Sequence, residues 1–156
     1  MFELDIPGFG MVKLDYLVTD YTGTLTLDGT LLLGVKEKIE AASKFLEVII
    51  LTADALGTAK TQLTNVPCRI QKVSGTNLDQ QKEDFVKQLG TTKVVAIGNG
   101  VNDAKMLKIA RVGIAVAGDE GCSVKALTSA DVCVNNILDA FDLLFTPKRL
   151  LSTLQF

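Results

Sequence analysis

Val94-Val95-Ala96-Ile97-Gly98-Asn99-Gly100-Val101-Asn102-Asp103-Ala104 decides the fold class. Its first four residues are an unbroken apolar run, the kind of strand that is buried on both faces of a parallel sheet. Two glycines and three amide or carboxylate side chains follow, and the spacing from Asn102 to Ala110 predicts a helix. A buried strand thus leaves through a polar turn straight into a helix. The same grammar recurs in both directions. Leu14–Thr19 reads as a first strand, Val48–Leu51 as a second and Cys68–Val73 as a third, with further short strands at Ile114–Val116 and Val132–Val134. Helices are predicted over Val35–Phe45, where Val35, Ile39, Ala42 and Phe45 recur at helical spacing, and over Ala55–Leu63, Leu78–Leu89, Glu120–Leu127 and Ile137–Leu144. Gly90 is placed to end the helix before it. Pro147 breaks the chain before a tail, Lys148–Phe156. Strands alternating with helices across short links imply an α/β, doubly wound, mainly parallel sheet with right-handed crossovers, here expected as one domain over residues 1–156. One segment departs from this rhythm. Leu25–Leu31 alternates apolar and polar residues around Asp28-Gly29, a hairpin signal, and is expected to form a flap beside the first strand's exit.

Composition narrows the function. The 156 residues are 47% hydrophobic and 22% charged, with sixteen basic and eighteen acidic side chains, a net charge of −2 and a pI near 5.1. That balance argues against nucleic-acid binding, which needs a basic stripe, and against a polybasic membrane anchor. No apolar run approaches the roughly 20 residues that cross a bilayer, and the N-terminal stretch lacks the pattern of a signal peptide, so a cytoplasmic location without membrane attachment is expected. There is no histidine, which excludes Ser-His-Asp and Cys-His catalysis and histidine-bearing zinc sites. Cys68, Cys122 and Cys133 are odd in number and show no CxxC, so buried reduced thiols are expected. A mean hydropathy of +0.30 fits either a large core or apolar surface kept for an identical subunit. The apolar tail residues Leu150, Leu151, Leu154 and Phe156 carry the same two readings.

In a parallel sheet, ligands bind outside the carboxyl ends of the strands. Those ends here carry Asp20-Tyr21-Thr22-Gly23-Thr24-Leu25-Thr26, Leu51-Thr52-Ala53-Asp54 and Gly98-Asn99-Gly100-Val101-Asn102-Asp103, while Lys82 sits early in a predicted helix. Together they offer carboxylates, hydroxyls, an ammonium and glycine-flanked amides. That set suits a phosphate with Mg²⁺, which takes oxygen ligands and keeps several waters. An aspartate can act as nucleophile through an aspartyl-phosphate. Taken singly, each residue also has an ordinary role as a cap, a turn or a solvated charge. Lys105, Lys108 and Arg111 form a basic stripe that reads either as a solvated face or as a substrate-steering patch, and Asp54 either orients the site or caps the next helix.

The first motif resembles the nucleophile loop of the haloacid dehalogenase superfamily, and more closely the DKTGTLT loop of P-type ATPases. Leu51-Thr52-Ala53-Asp54 is similar to the ATPase TGD segment. Gly98-Asn99-Gly100-Val101-Asn102-Asp103-Ala104 is similar to GDGVNDA, and Lys82 stands 16 positions before Gly98, where both families have a phosphate-binding lysine. The 32 residues from Asp20 to Thr52 and the 30 from Thr52 to Lys82 hold no separate cap domain. The resemblance is therefore to a capless, soluble P-type-ATPase-like branch, with a Rossmann-like haloacid dehalogenase fold. It implies Asp20 as nucleophile and Mg²⁺ ligand, the Thr22 carbonyl as a second ligand, and Asn99 and Asp103 as further metal-site residues. Thr52, Ala53, Lys82 and Asn102 would bind substrate. The implied activity is Mg²⁺-dependent phosphohydrolysis of small phosphorylated compounds, nucleotide or acyl phosphates among them.

Two positions depart from the superfamily's pattern. Phosphatases have an aspartate two residues after the nucleophile, which protonates the leaving group and then activates water. Thr22 stands there, as in the ATPases, and losing a general acid–base costs ~10²–10⁴-fold. Slow dephosphorylation is expected. Asn99 replaces a usual aspartate, removing one charge from the metal site. These departures keep open the alternative of a phosphate-binding module with little or no turnover.

Overall fold

The computed structural model describes residues 1–53 and 57–156; Asp54 and the start of the helix expected at Ala55 lie outside the described residues. The chain runs β1 (Phe2–Ile6), β2 (Gly10–Leu14), β3 (Tyr16–Asp20), β4 (Thr26–Leu27), β5 (Thr30–Leu31), α1 (Val35–Ala42), β6 (Glu47–Thr52), α2 (Thr58–Gln62), β7 (Arg69–Lys72) and α3 (Leu78–Leu89). It continues through β8 (Val94–Gly98), α4 (Ala104–Ile109), β9 (Val112–Val116), α5 (Val124–Ser129), β10 (Val132–Val134), α6 (Ile137–Phe145) and α7 (Pro147–Leu154). Six strands form one sheet in the order β10-β9-β8-β3-β6-β7, and every pairing in it is parallel. This is the doubly wound sheet that the alternation predicts.

The apolar runs are continuous because both faces of the sheet are covered. Successive residues of a strand point to opposite faces, and two cores result. Leu17, Val48, Ile50, Val95 and Ile97 pack with Ile39 of α1 and Phe141 of α6. Val18, Ile49, Leu51, Val94 and Ala96 pack on the other face with Val86 of α3, Met106 and Leu107 of α4 and Ala126 of α5. From β3 the chain steps to β6 and β7 on one side, then returns to β8 on the other. The strand order therefore reverses beside β3, and the crevice at the ends of β3 and β8 is where such a sheet binds ligands.

The flap forms as expected. β4 and β5 pair antiparallel, and Asp28 and Gly29 both take positive φ, 53° and 81°, the demand of a two-residue hairpin turn.

Three segments differ from expectation. The strand expected over Leu14–Thr19 is two: Leu14 ends β2, and β3 begins at Tyr16. β1 and β2 make an antiparallel hairpin through Pro7-Gly8-Phe9, with Phe2, Ile6, Val12 and Leu14 buried. The helix expected over Glu120–Leu127 starts at Val124, because Gly121 is left-handed at φ 82° and the Ser123 hydroxyl caps the Ala126 amide at 3.0 Å. The tail after Pro147 is a helix, since proline at the first position supplies a helical φ where no N–H is needed. Leu150 is fully buried, and the Phe156 amide donates to the Pro7 carbonyl at 3.0 Å, so the tail packs on the chain's own N-terminal hairpin, although Phe156 itself stays exposed. The cysteines are free, but none is fully buried: Cys133 is exposed on the edge strand β10, and Cys68 and Cys122 are half-buried. Among the described residues no helix is long and apolar enough to cross a membrane.

Candidate active site

Asp20 is the last residue of β3 and is 8% exposed. Lys82, 62 positions later in the second turn of α3, is 2% exposed. Its ammonium donates to Asp20 Oδ1 at 3.0 Å, to Asp103 Oδ1 at 2.8 Å and to the Asn102 side-chain oxygen at 3.0 Å. All three of its donors are used. β3 delivers Asp20, α3 delivers Lys82, and the single turn of 3₁₀ helix after β8 (Val101–Asp103) delivers Asn102 and Asp103.

Asp103 is fully buried, and both its oxygens are engaged. Oδ1 accepts from Lys82, while Oδ2 accepts the amides of Asn99 and Gly100 at 3.0 Å each. It therefore works from behind: it holds the Gly98–Asn99–Gly100 turn and aims Lys82 at Asp20. Gly98 makes room for it, since a Cβ there would stand 2.5 Å from the Asp103 carboxyl carbon.

Two carboxylates and one ammonium in a buried cluster leave an excess negative charge. Burial first, and the Asp103 charge second, push the Asp20 carboxyl up to about 7 from its ordinary 3.8, against the opposing pull of Lys82. Burial opposes the charged form of Lys82, but the two carboxylates outweigh it and hold its pKa above the ordinary lysine value.

The nucleophile loop is stitched to the turn after β8. The Thr24 hydroxyl, buried, lies 3.3 Å from Asp20 Oδ2 and 3.1 Å from Asn99 Oδ1. The Asn99 amide nitrogen donates to the Gly121 carbonyl at 3.2 Å, leaving its oxygen toward Thr24. Gly23, at φ 78°, lets the loop pass Asn99, because a Cβ there would meet the amide at 2.7 Å. Thr22 is exposed in the same loop. Thr52, buried at the end of β6, lies one residue beyond Leu51, the sheet partner of Asp20, and Ala53 follows it exposed.

Two oxygen donors at this junction are of the kind that could hold a hard divalent cation. The Asp20 carboxylate and the Asn99 side-chain oxygen, both within reach of the Thr24 hydroxyl, are hard oxygen donors, and Mg²⁺ needs only one or two carboxylates because it keeps waters. Among the described residues no three histidine, cysteine or acidic side chains gather as a metal cage.

Sequence pattern does not single out Thr24 or Gln62, yet both organise the site. Gln62 of α2 donates to the Tyr21 hydroxyl at 2.6 Å and to the Gly29 carbonyl at 2.7 Å, and accepts the Leu31 amide at 2.7 Å. It clasps the flap to the nucleophile loop. The second of three alternating threonines in the loop is a signal for Thr24; Gln62 carries none. Two members of the basic stripe have other partners. Lys105 pairs with Asp79 at 3.2 Å, and Arg111 precedes β9, where it stacks on Phe9 at 4.3 Å and donates to the Phe9 and Met11 carbonyls.

No family model matches the chain. An uncharacterized protein of Methanocaldococcus jannaschii is 46% identical over 71 residues, covering 46% of this chain and 76% of that one. The Probable cadmium-transporting ATPase of Listeria monocytogenes is 36% identical over 111 residues, which are 70% of this chain but only 15% of the ATPase. Among solved structures, the 3-deoxy-D-manno-octulosonate 8-phosphate phosphatase of Moraxella catarrhalis, in complex with magnesium, phosphate and the sugar acid, superposes with a TM-score of 0.69 at 15% identity, covering 91% of this chain and 94% of that one. A phosphatase of the haloalkanoate (HAD) superfamily from Bacteroides thetaiotaomicron gives 0.61 at 12% identity, covering 90% and 96%. At these identities the structural likeness is one of fold.

Proposed function

We propose, from the premise that this chain belongs to the haloacid dehalogenase superfamily and to one family with the Methanocaldococcus protein, that it is a phosphohydrolase working through an aspartyl-phosphate on Asp20. The observation that carries this reading is the contact between Lys82 and Asp20 at 3.0 Å, made across 62 residues at the sheet's switch point. A buried carboxylate with an ammonium on one oxygen is arranged to attack a phosphoryl group whose charge the same ammonium offsets.

In the first step an Asp20 oxygen forms a bond to phosphorus, and the bond from phosphorus to the leaving oxygen breaks, with its electron pair going to that oxygen. Lys82 balances charge on the phosphoryl oxygens, and Asn102 and Asp103 hold Lys82 in place. Thr52 donates a hydrogen bond to the phosphoryl group, and the Ala53 backbone borders it. Asp20, Asn99 and the Thr22 carbonyl would hold Mg²⁺, which supplies charge neutralisation at the phosphoryl oxygens. In the second step a water oxygen forms a bond to phosphorus, the bond from phosphorus to the Asp20 oxygen breaks with its electron pair returning to the carboxylate, and the water's protons leave with the inorganic phosphate or pass to solvent. Thr22 offers no carboxylate to protonate a leaving group or to activate that water. Turnover is therefore slow, and leaving groups that depart without a proton, such as those of acyl and aryl phosphates, are favoured.

Phosphate release from acetyl phosphate and 4-nitrophenyl phosphate, with Mg²⁺ and with EDTA, tests the reading. Release that depends on Mg²⁺ and is lost in Asp20→Asn supports it; full turnover by Asp20→Asn rejects it. Thr22 and Asn99 together favour a second reading, a phosphate-binding module with little turnover. Phosphate binding by calorimetry without release in that assay would select it.

A further inference from the structure

A cavity of about 290 Å³ opens between the flap, the loop after β9 and the start of α6. It shares Thr24 with the site, the residue whose hydroxyl touches both Asp20 and Asn99. Its apolar wall includes Leu32, Val116 and Ile137. Its charged lining consists of two carboxylates, Asp119 and Glu120, and among the described residues neither lysine nor arginine contributes to it. Glu120 also accepts the Asp28 amide at 3.2 Å and so ties the flap's turn across the opening.

We propose that this cavity receives the leaving group, and that the substrates are monophosphates whose other part is compact, has an apolar face and carries no further negative charge. The proposal rests on the phosphohydrolase reading and narrows it. The volume is at the small end of the ~300–1,000 Å³ typical of small-molecule sites, suited to one ring or a short chain. Nucleoside di- and triphosphates are disfavoured on charge. Attack on their terminal phosphate would leave a polyanion facing the exposed carboxylates of Asp119 and Glu120, with no cation in the lining to meet it, and like-charge juxtaposition opposes binding. The adenine and the remaining phosphates of ATP would also exceed the space. Relatedness in sequence to transport ATPases thus does not extend to a pocket suited to ATP.

The test compares 4-methylphenyl phosphate with 4-(carboxymethyl)phenyl phosphate, which differ in charge with the phenolic leaving oxygen little altered, alongside ATP and acetyl phosphate. In the wild-type protein with Mg²⁺, kcat/KM for the methyl compound is expected to exceed that for the carboxymethyl compound by about tenfold, mainly through KM, with ATP lower still. Asp119→Asn should narrow the ratio to about threefold, as one of two repelling charges is removed. Equal use of the two aryl phosphates, efficient use of ATP, or a ratio that Asp119→Asn leaves unmoved would overturn the proposal. Acetyl phosphate separates the two failures. Its leaving acetate makes small demands on the cavity, so turnover of acetyl phosphate without charge discrimination rejects the pocket alone. No turnover of any of the four compounds rejects the phosphohydrolase reading and the proposal with it.

Discussion

Replacing Asp20 with asparagine should make the metal-free protein more stable at neutral pH while abolishing its chemistry. The buried cluster holds two carboxylates and one ammonium. Neutralising Asp20 leaves a balanced Lys82–Asp103 pair, with the Asn102 oxygen and the new amide oxygen still able to accept from Lys82. The gain must depend on pH. Well below 3.8, the ordinary aspartate value, the Asp20 carboxyl is protonated in folded and unfolded chains alike, and its titration contributes no difference. Between about 4 and about 7 the unfolded chain releases this proton while the folded chain keeps it. Wild-type stability therefore falls as pH rises, at about 1.4 kcal/mol per unit. Across a rise from 3.8 to about 7 the ceiling is about 4 kcal/mol; asparagine gives up the charge-assisted bond to Lys82, so a net gain of about 2 kcal/mol is expected above pH 7. For a chain of this length that is a Tm increase of about 4–8 °C. Calorimetry or dye-based melting in EDTA at pH 4.5, 6 and 8 reads it directly: the gap between variant and wild type opens with pH. A gap of the same size at all three pH values, or a variant less stable at pH 8, would refute the argument that Asp20 is the surplus charge. Mg²⁺ should raise the wild-type Tm at pH 8 more than that of the variant, since it supplies the missing positive charge.

Asp103→Asn, formally the same change, should lower stability by about 2–3 kcal/mol. Its oxygens already accept two amides and Lys82, so one of its new N–H groups must face a donor; thermal melting beside Asp20→Asn shows opposite signs if this holds. Lys82→Met leaves two buried carboxylates without their cation and should cost about 3–5 kcal/mol, measured by urea unfolding, and less in an Asp20→Asn background. Thr22→Asp should restore a general acid–base and raise steady-state phosphate release ~10²-fold or more, most clearly on substrates with poor leaving groups. Gly98→Ala should push the Asp103 carboxyl from its place, since the added Cβ stands 2.5 Å from it; loss of both stability and phosphate release, followed by melting and the release assay, is the expected result.

Much of the fold was legible in the sequence, for definite reasons. Continuous apolar runs such as Val94–Ile97 have only one economical use in a chain this size, a strand covered on both sides, and alternating helices supply the cover. Asp28-Gly29 marked the flap because two consecutive positive φ angles admit few residue pairs. The N-terminal hairpin and the last helix are misread from pattern: the alternation around Pro7-Gly8 is passed over, and Pro147 reads as a break although proline also starts helices. By contrast, the shortened helix after Glu120 depended on the Ser123 cap competing with its neighbours, a local contest that periodicity does not resolve.

The chain's own order of residues determined the sheet, its polar edge and the chemical types assembled there, because periodicity and turn chemistry are local properties. Tertiary structure alone decided which of those residues touch. Lys82 meets Asp20 and Asp103 because a helix from one crossover and a turn from the next converge at the point where strand order reverses. Asp103 is turned inward by two amides and has no side left for solvent, Gln62 clasps a flap more than thirty residues away, and the cavity beside Thr24 has an acidic rim. Burial, charge balance and pocket shape arise from distances between segments remote in sequence, and no local pattern encodes those distances.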